Sequence, residues 1–462
     1  MPLLRNNVFG IQTGVAISFL VKRAKTRGCR IHYARRPQLE TAEEKLGFLG
    51  STGFNAVAFD DVEPNESNDW INHPVNEFLS FLPIGDRATK SVRVARQEQA
   101  IFRLYSLGIS TNRDEWVHGK EPRELQRKVE YLVEAYDQVS PSSEDFPNTL
   151  KWSRNLKRRL YQKRREKFEI TRITKSLYRP YSAHLLYQSD LFIDEAGSAA
   201  QVFPKGSRNR AICVMSGDRQ DFAAIATDLI PNLNMFSADA IHYFPRKRFD
   251  QRGVAVENIT DWALDQFRAH YEAGAAPPRP ITKDAIFHYV YGVLHDPVYR
   301  EKYALNLKRE FPRIPFYADF WRWAEWGERL MALHIGYETV EPWPLRRIDV
   351  PDQQARKAGL APRALLRADK SAGAVVLDSE TQLTGIPAAA WDYRLGNRSA
   401  LEWVLDQHKE KTPRDPTIRE KFNTYQFADY KDKVIDLLGR VTRVSVETME
   451  IVAAMRAASG SA

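Results

Sequence analysis

Two cysteines in 462 residues, Cys29 and Cys213, are too few and too far apart for a disulfide scaffold, and neither sits in a metal-ligand spacing. They read as small buried hydrophobes in a reducing, cytoplasmic setting. No run approaches the roughly twenty apolar residues of a membrane span, and Arg5 with Asn6 and Asn7 interrupts the apolar core a signal peptide would need. A phosphate-cradling Gly-x-x-x-x-Gly-Lys-Ser/Thr run is missing, which removes ATP hydrolysis from the expectations. Asp60, Asp61 and Glu63, or Asp406, Glu410 and Lys411, lack the strand-borne acid followed by Glu-x-Lys that would gather carboxylates around Mg²⁺. His242, His270, His288, His295 and His334 never pair at i, i+4, so no helical metal site is expected. Asp296-Pro297 and Asp415-Pro416 lack the second proline and the aromatic residue of an amino-methyltransferase loop and read as helix caps. No catalytic residue, metal ligand or cofactor-binding residue is expected in this chain.

What is abundant is positive charge. A net charge of +9 and a pI near 9.3 favour an anionic partner, nucleic acid ahead of an acidic membrane surface. Lys151 to Lys175 concentrates it, with eleven Lys or Arg against two Glu. At helical spacing Trp152, Leu156, Leu160 and Tyr161 face inward, while Arg154, Lys157, Arg158, Arg159, Lys163, Arg164 and Arg165 form the basic surface. A charge run usually means a solvated helix face. Most of these cations lack an acidic i, i+4 partner, however, which suits a phosphate track; both readings stay open. Arg179 and the Arg246-Lys247-Arg248 run at a strand exit complete the candidate contacts.

With 43% hydrophobic and 27% charged residues the chain is an ordinary globular one, long enough for two or three cores. Its organising stretch is Ile281 to Leu345. Thr282 and Asp284 open one helix, Asp296-Pro297 a second, the Pro312 and Pro315 pair forms an elbow, and Phe320 to Leu333 continues as a third. Val15 to Val21 and Cys29 to Tyr33 alternate and predict a β-hairpin, followed by a helix from Thr41 to Leu49. Thr111-Asn112-Arg113-Asp114 reads as a capped turn before a helix from Pro122 to Tyr136. Short apolar runs near Ile212 and Ile241 predict strands of a mixed sheet. Tyr271 to Pro280 reads as a linker, Val350 to Ala374 as a loop, Tyr430 to Leu438 as the final helix and residues 457–462 as a disordered tail. The fold class predicted is α+β, mixed and predominantly helical.

Several phrases carry a resemblance. YGVLHDPVYREKYALNLKREFPRIPF, then the helix ending Leu333-His334-Ile335-Gly336-Tyr337-Glu338, resembles the C-terminal specificity region of Type ISP restriction-modification enzymes. Tyr393-Arg394-Leu395-Gly396-Asn397-Arg398-Ser399-Ala400-Leu401-Glu402-Trp403 is similar to a phrase near that family's end, and Leu177-Tyr178-Arg179-Pro180-Tyr181 to the start of its target-recognition domain, with Tyr181 where Phe is usual. VFGIQTGVAISFLVKR resembles the tail of its methyltransferase domain. The resemblance implies a methyltransferase remnant over 1–50, joined to a Rossmann-like sheet through the N-terminal hairpin. A helical connector with the basic helix follows over 51–175, and an α/β target-recognition domain over 176–456. It further implies sequence-specific binding of double-stranded DNA, without a membrane. S-adenosylmethionine, ATP and Mg²⁺ belong to the full-length family and not to this chain. The alternatives are a split enzyme, in which a separate methyltransferase or helicase polypeptide docks on the hairpin, and a protein-interaction module with no DNA binding of its own.

Overall fold

The computed structural model describes residues 8–9, 15–22, 24, 29–36, 40–64, 68, 70, 76–91, 97–217, 219–236, 239–272 and 279–459. The chain divides into two compact units, Met1–Val75 and Asn76–Ala462.

In the first unit a two-stranded antiparallel ribbon is present, but its pairing departs from expectation. Ile31–Tyr33 pairs with Asp60–Val62, in the register Ile31 to Val62 and Tyr33 to Asp60, and not with the 15–22 run. The described residues 15–22 carry no regular structure, and Phe19, Leu20 and Val21 stand 74%, 98% and 79% exposed. Alternation specifies a strand only where one face has something to bury against, and here the run's one ring contact among the described residues, Phe19 edge-on to Phe54 at 5.9 Å, leaves it exposed. The helix after it is as predicted: Ala42–Ser51 starts at Thr41, whose hydroxyl accepts from the Glu44 amide while the Glu44 carboxylate accepts from the Thr41 amide.

In the second unit the predicted three-helix stretch forms the heart of one hydrophobic cluster. Lys283–Val293 begins at Thr282, Pro297–Lys302 at Asp296 and Phe320–Ile335 at Asp319, each side chain accepting from a first-turn amide. The second helix breaks at Tyr303 and resumes as Ala304–Leu307, with Tyr299, Tyr303 and Leu307 buried as their spacing requires. The first and third helices cross almost in backbone contact. A β-carbon on Gly327 would lie 1.8 Å from the His288 carbonyl oxygen, and one on Gly292 2.5 Å from that of Trp323. Only glycine permits this crossing.

The described residues of this unit also form three four-stranded sheets, the first of which shares the cluster of these helices. One orders Ser106–Leu107, Ala240–Pro245, Ala211–Ser216 and Ala224–Thr227; a second orders Ile230–Pro231, Ile173–Arg179, Ser182–Tyr187 and His118–Gly119; a third orders Arg346–Asp349, Thr381–Thr384, Ala374–Asp378 and Ala364–Asp369. With 39% helix and 19% strand the mixed, predominantly helical class holds.

Two expectations fail in the third sheet's neighbourhood. The stretch Val350 to Ala374 is not a loop, since it holds the helix Gln353–Lys357 and the strand Ala364–Asp369. Its register shifts between Ala364 and Arg367, where Leu366 takes φ +47°, so the apolar alternation that marks a strand is interrupted. The last helix runs Lys431–Ser459, three times the predicted length, and takes in residues 457–459 of the expected tail; 460–462 lie outside the described residues. Its polar positions are hidden by local bonds: Thr442 and Ser445 donate to the Leu438 and Val441 carbonyls, both at 2.7 Å. Of the predicted linker, 273–278 also lie outside the described residues.

Candidate nucleic-acid interface

The basic stretch is α-helical over only two turns, with a single 3-10 turn at Ile170–Arg172 further on. Ser153 caps the helix Arg154–Tyr161, after which the chain runs irregularly to Glu169 and enters the strand Ile173–Arg179. Leu156 and Leu160 are fully buried, as predicted, and Trp152 is half-buried, whereas Tyr161 is 52% exposed and not an inward residue.

The cations of this stretch divide by what they hold. Arg159 donates to the carbonyls of Leu191, Ile193 and Asp194 at 2.8–3.0 Å and fastens the following loop. Arg164 donates to the Asp190 carbonyl, Arg165 pairs with Asp137 at 3.2 Å, and Lys157 lies 4.0 Å from the centre of the Phe146 ring. Arg154, Arg158 and Lys163 are exposed, and no side-chain partner holds them among the described residues. The track available to an anion is therefore narrower than the charge count.

Thr111-Asn112-Arg113-Asp114 positions that helix. Asn112 takes φ +57°, Arg113 is 2% exposed, and its guanidinium meets Asp194 at 3.0 Å and the Ser153 hydroxyl at 2.8 Å. Ser153 donates in turn to Asp194 at 2.7 Å, and Asn112 donates to the same carboxylate at 3.0 Å. Burial alone would raise the Asp194 pKa. Donation from Ser153 and Asn112 and the charge of Arg113 outweigh it and hold the carboxyl below its ordinary value. The Ser153 cap and the buried ion pair are thus one network. The capped-turn reading of the phrase holds only for Thr111, which accepts from the Arg113 amide at 3.2 Å; the phrase leads into the short helix Asp114–Val117, and Pro122–Asp137 starts at Glu121 without a side-chain cap.

The other candidates lie apart. Arg179 spreads over the Tyr178 ring at 4.0 Å and reaches Asn232 at 3.4 Å, with Tyr178 stacked on His184. Tyr181 is buried at φ +55°, and its hydroxyl meets that of Tyr393 at 2.9 Å, a partner that Phe could not supply. Arg246 is buried and held by Asp284 at 2.6 Å and by Glu257, which leaves Lys247 and Arg248, both half-buried, beside it. No hydrogen bond, ion pair or ring contact among the described residues joins Arg154–Arg165, Arg179 and Arg246–Arg248 into one patch.

The sequence reading missed a cleft of about 990 Å³ whose lining includes Arg87, Lys90, Tyr105, His242, Lys308 and Phe311. Segments tens to more than a hundred residues apart in the chain meet there, and no local pattern announces it.

Small sheets, an aromatic helical core and basic side chains in separate places make a mixed α/β module with cations free to meet an anion. The chain belongs to the Type ISP C-terminal specificity domain family, whose model matches residues 100–437. It is similar to a structure described as a DrdV–DNA complex, at 44% identity and a TM-score of 0.87 over 97% of this chain and 45% of that one. It also shares its fold with the Type ISP restriction-modification enzyme LlaGI in complex with a DNA substrate mimic, in a nuclease-deletion form, at 24% identity and a TM-score of 0.72 over 93% of this chain and 33% of that one. The ATP-dependent Type ISP enzyme LlaBIII bound to DNA shares it as well, at 21% identity and a TM-score of 0.79 over 97% and 29%. The chain thus spans less than half of each of these proteins. No curated protein matches it.

Proposed function

We propose that this chain recognises a specific sequence in double-stranded DNA, as the specificity portion of a Type ISP-like restriction-modification enzyme. The observation that carries the reading is the likeness to the DrdV–DNA complex over 97% of the chain at 44% identity. Arg154, Arg158 and Lys163, exposed and without a side-chain partner among the described residues, supply phosphate contacts that set the protein on the duplex, and loop side chains beyond the sheets read base edges. Arg159 and Arg246 act by holding the framework, since their guanidinium groups are already engaged.

On this reading methylation, ATP-driven movement and Mg²⁺-dependent cleavage reside in other portions of the enzyme. The described residues of this chain offer no group of three His, Cys, Asp or Glu side chains that could hold a metal ion. Residues 1–50 belong with a methyltransferase sheet, 51–175 connect, and 176–456 form the target-recognition domain. The exposed Phe19, Leu20 and Val21 are the surface that a methyltransferase portion covers, whether it lies in the same polypeptide or a separate one. No helix among the described residues is long and apolar enough to cross a membrane, and a cytoplasmic location fits a DNA substrate.

The test is selection from a random duplex pool across a salt series. Binding that weakens steeply with salt and enriches one short site supports the reading. The triple variant Arg154→Ala, Arg158→Ala, Lys163→Ala should lower the slope of log K against log salt by about 2–3 and keep the same enriched site. Salt-insensitive or absent binding would replace the proposal with a protein-interaction module.

A further inference from the structure

The cleft of about 990 Å³ in the second unit has a chemistry of its own. Its rim carries Arg87 and Lys90, both exposed, and the half-buried Lys308, and none of the three has a carboxylate partner among the described residues. Lys90 instead lies 4.5 Å from the centre of the Tyr105 ring. The carboxylates along the lining are partly committed: Asp86 accepts from the amide and hydroxyl of Thr89, and Glu310 pairs with Arg313 at 3.6 Å, leaving Glu195 at one edge. The floor is aromatic. Phe311 meets Tyr105 edge-on at 5.0 Å and His242 at 4.8 Å, and both Phe311 and His242 remain half-exposed toward the cleft. Burial together with the charge of Lys90 brings His242 down to about 4, so it is neutral near pH 7 and adds no positive charge to the floor.

Size decides what fits. A volume of about 990 Å³ lies at the upper end of small-molecule sites, the size of a nucleotide rather than of a duplex. Unpaired cations at the mouth over aromatic rings are the arrangement that receives one nucleotide, the phosphate at the rim and the base on the rings. We propose that this cleft binds a single phosphate-bearing nucleotide, with Lys90, Lys308 and Arg87 on the phosphate and Phe311 and His242 against the base. The nucleotide is either one unstacked from the bound DNA strand or a free one. The inference rests on the DNA reading only for the first of these sources.

The probe is 2-aminopurine, whose fluorescence falls when it stacks on aromatic rings, offered to the full chain as free 5′-monophosphate, as nucleoside and within a duplex carrying the selected site. The expected result is quenching of the monophosphate, with the nucleoside binding about tenfold more weakly because it lacks the charge the rim holds. The variant Lys90→Ala, Lys308→Ala should erase that difference, and Phe311→Ala should lower the quenching; the lysine variant changes only rim side chains and leaves the core intact. A change in the duplex probe's fluorescence that Phe311→Ala abolishes identifies a strand nucleotide, and a Phe311-dependent response of the free form alone identifies a diffusible one. Equal binding of monophosphate and nucleoside, or a lysine variant that behaves as the parent does, overturns the proposal. If salt-sensitive, site-selective duplex binding persists while the cleft fails, only this inference is lost. If the cleft binds the monophosphate and the chain binds no duplex, only the DNA reading is lost.

Discussion

Asp194→Ala is the most informative single perturbation, because it removes the carboxylate paired with the buried Arg113 guanidinium. Arg113 lies 2% exposed with Asp194 at 3.0 Å, and burial lowers the Arg113 pKa without making it neutral at pH 7. Breaking a buried pair from one side costs about 3–5 kcal/mol, since the remaining charge is left without compensation. Ser153 and Asn112 lose their shared acceptor as well, worth about 1 kcal/mol each. About 4 kcal/mol or more of local stability should disappear. Because Ser153 caps Arg154–Tyr161, the loss should appear first as faster amide exchange in that helix and in Asp114–Val117. The double variant Arg113→Met, Asp194→Ala no longer buries a lone charge and should recover at least about 2 kcal/mol in a double-mutant cycle. The pair also has a pH signature. Asp194 is held below its unfolded value, so its contribution is fully present above about pH 4 and is lost as pH falls through the folded pKa. A cost below about 1 kcal/mol for Asp194→Ala, or a double variant whose cost is the sum of the singles, would refute the network.

Gly327→Ala drives a β-carbon into the His288 carbonyl at 1.8 Å and has no flexible side chain to displace, so it should cost more than the usual ~1–3 kcal/mol of overpacking and prevent recovery of folded protein. Ala332→Gly on the same helix serves as the control, since at about 1 kcal/mol it should remain folded by circular dichroism. His334 is buried between Tyr291 at 2.5 Å and Thr448 at 2.9 Å, and burial brings it down to about 3. The unfolded chain binds this proton below about pH 6.5 and the folded chain does not, so stability is constant above that pH and falls by up to about 1.4 kcal/mol per pH unit toward pH 3. Unfolding free energies from urea titrations of the parent and His334→Gln between pH 7 and 4.5 should differ in slope by about that amount, and equal slopes would place the proton elsewhere.

Local chemistry made much of the fold legible. Thr41, Thr282, Asp296 and Asp415 cap helices where a short acceptor followed by a helix-forming run says they should, because a cap bond is made within four residues. Local pattern also misled. The 15–22 run alternates without forming a strand, and Ala364–Asp369 is a strand whose bulge interrupts the alternation. The final helix runs well past the expected Leu438, and its polar residues Thr442, Ser445 and Thr448 are accommodated because their hydroxyls bond the preceding turn or His334.

By itself, then, the sequence determined the charge of the chain, its helix starts, its aromatic core and the phrases that place it in its family, since each is written in residues close along the chain. The tertiary structure alone decided which charges remain available. Arg159 and Arg154 are equivalent in a count of cations, yet one is bound to three carbonyls thirty residues away and the other faces solvent. It alone brought Lys90, His242 and Lys308 around one cleft. Coulombic and hydrogen-bonding energies depend on distance in space, and for residues separated by tens to hundreds of positions only the folded chain sets that distance.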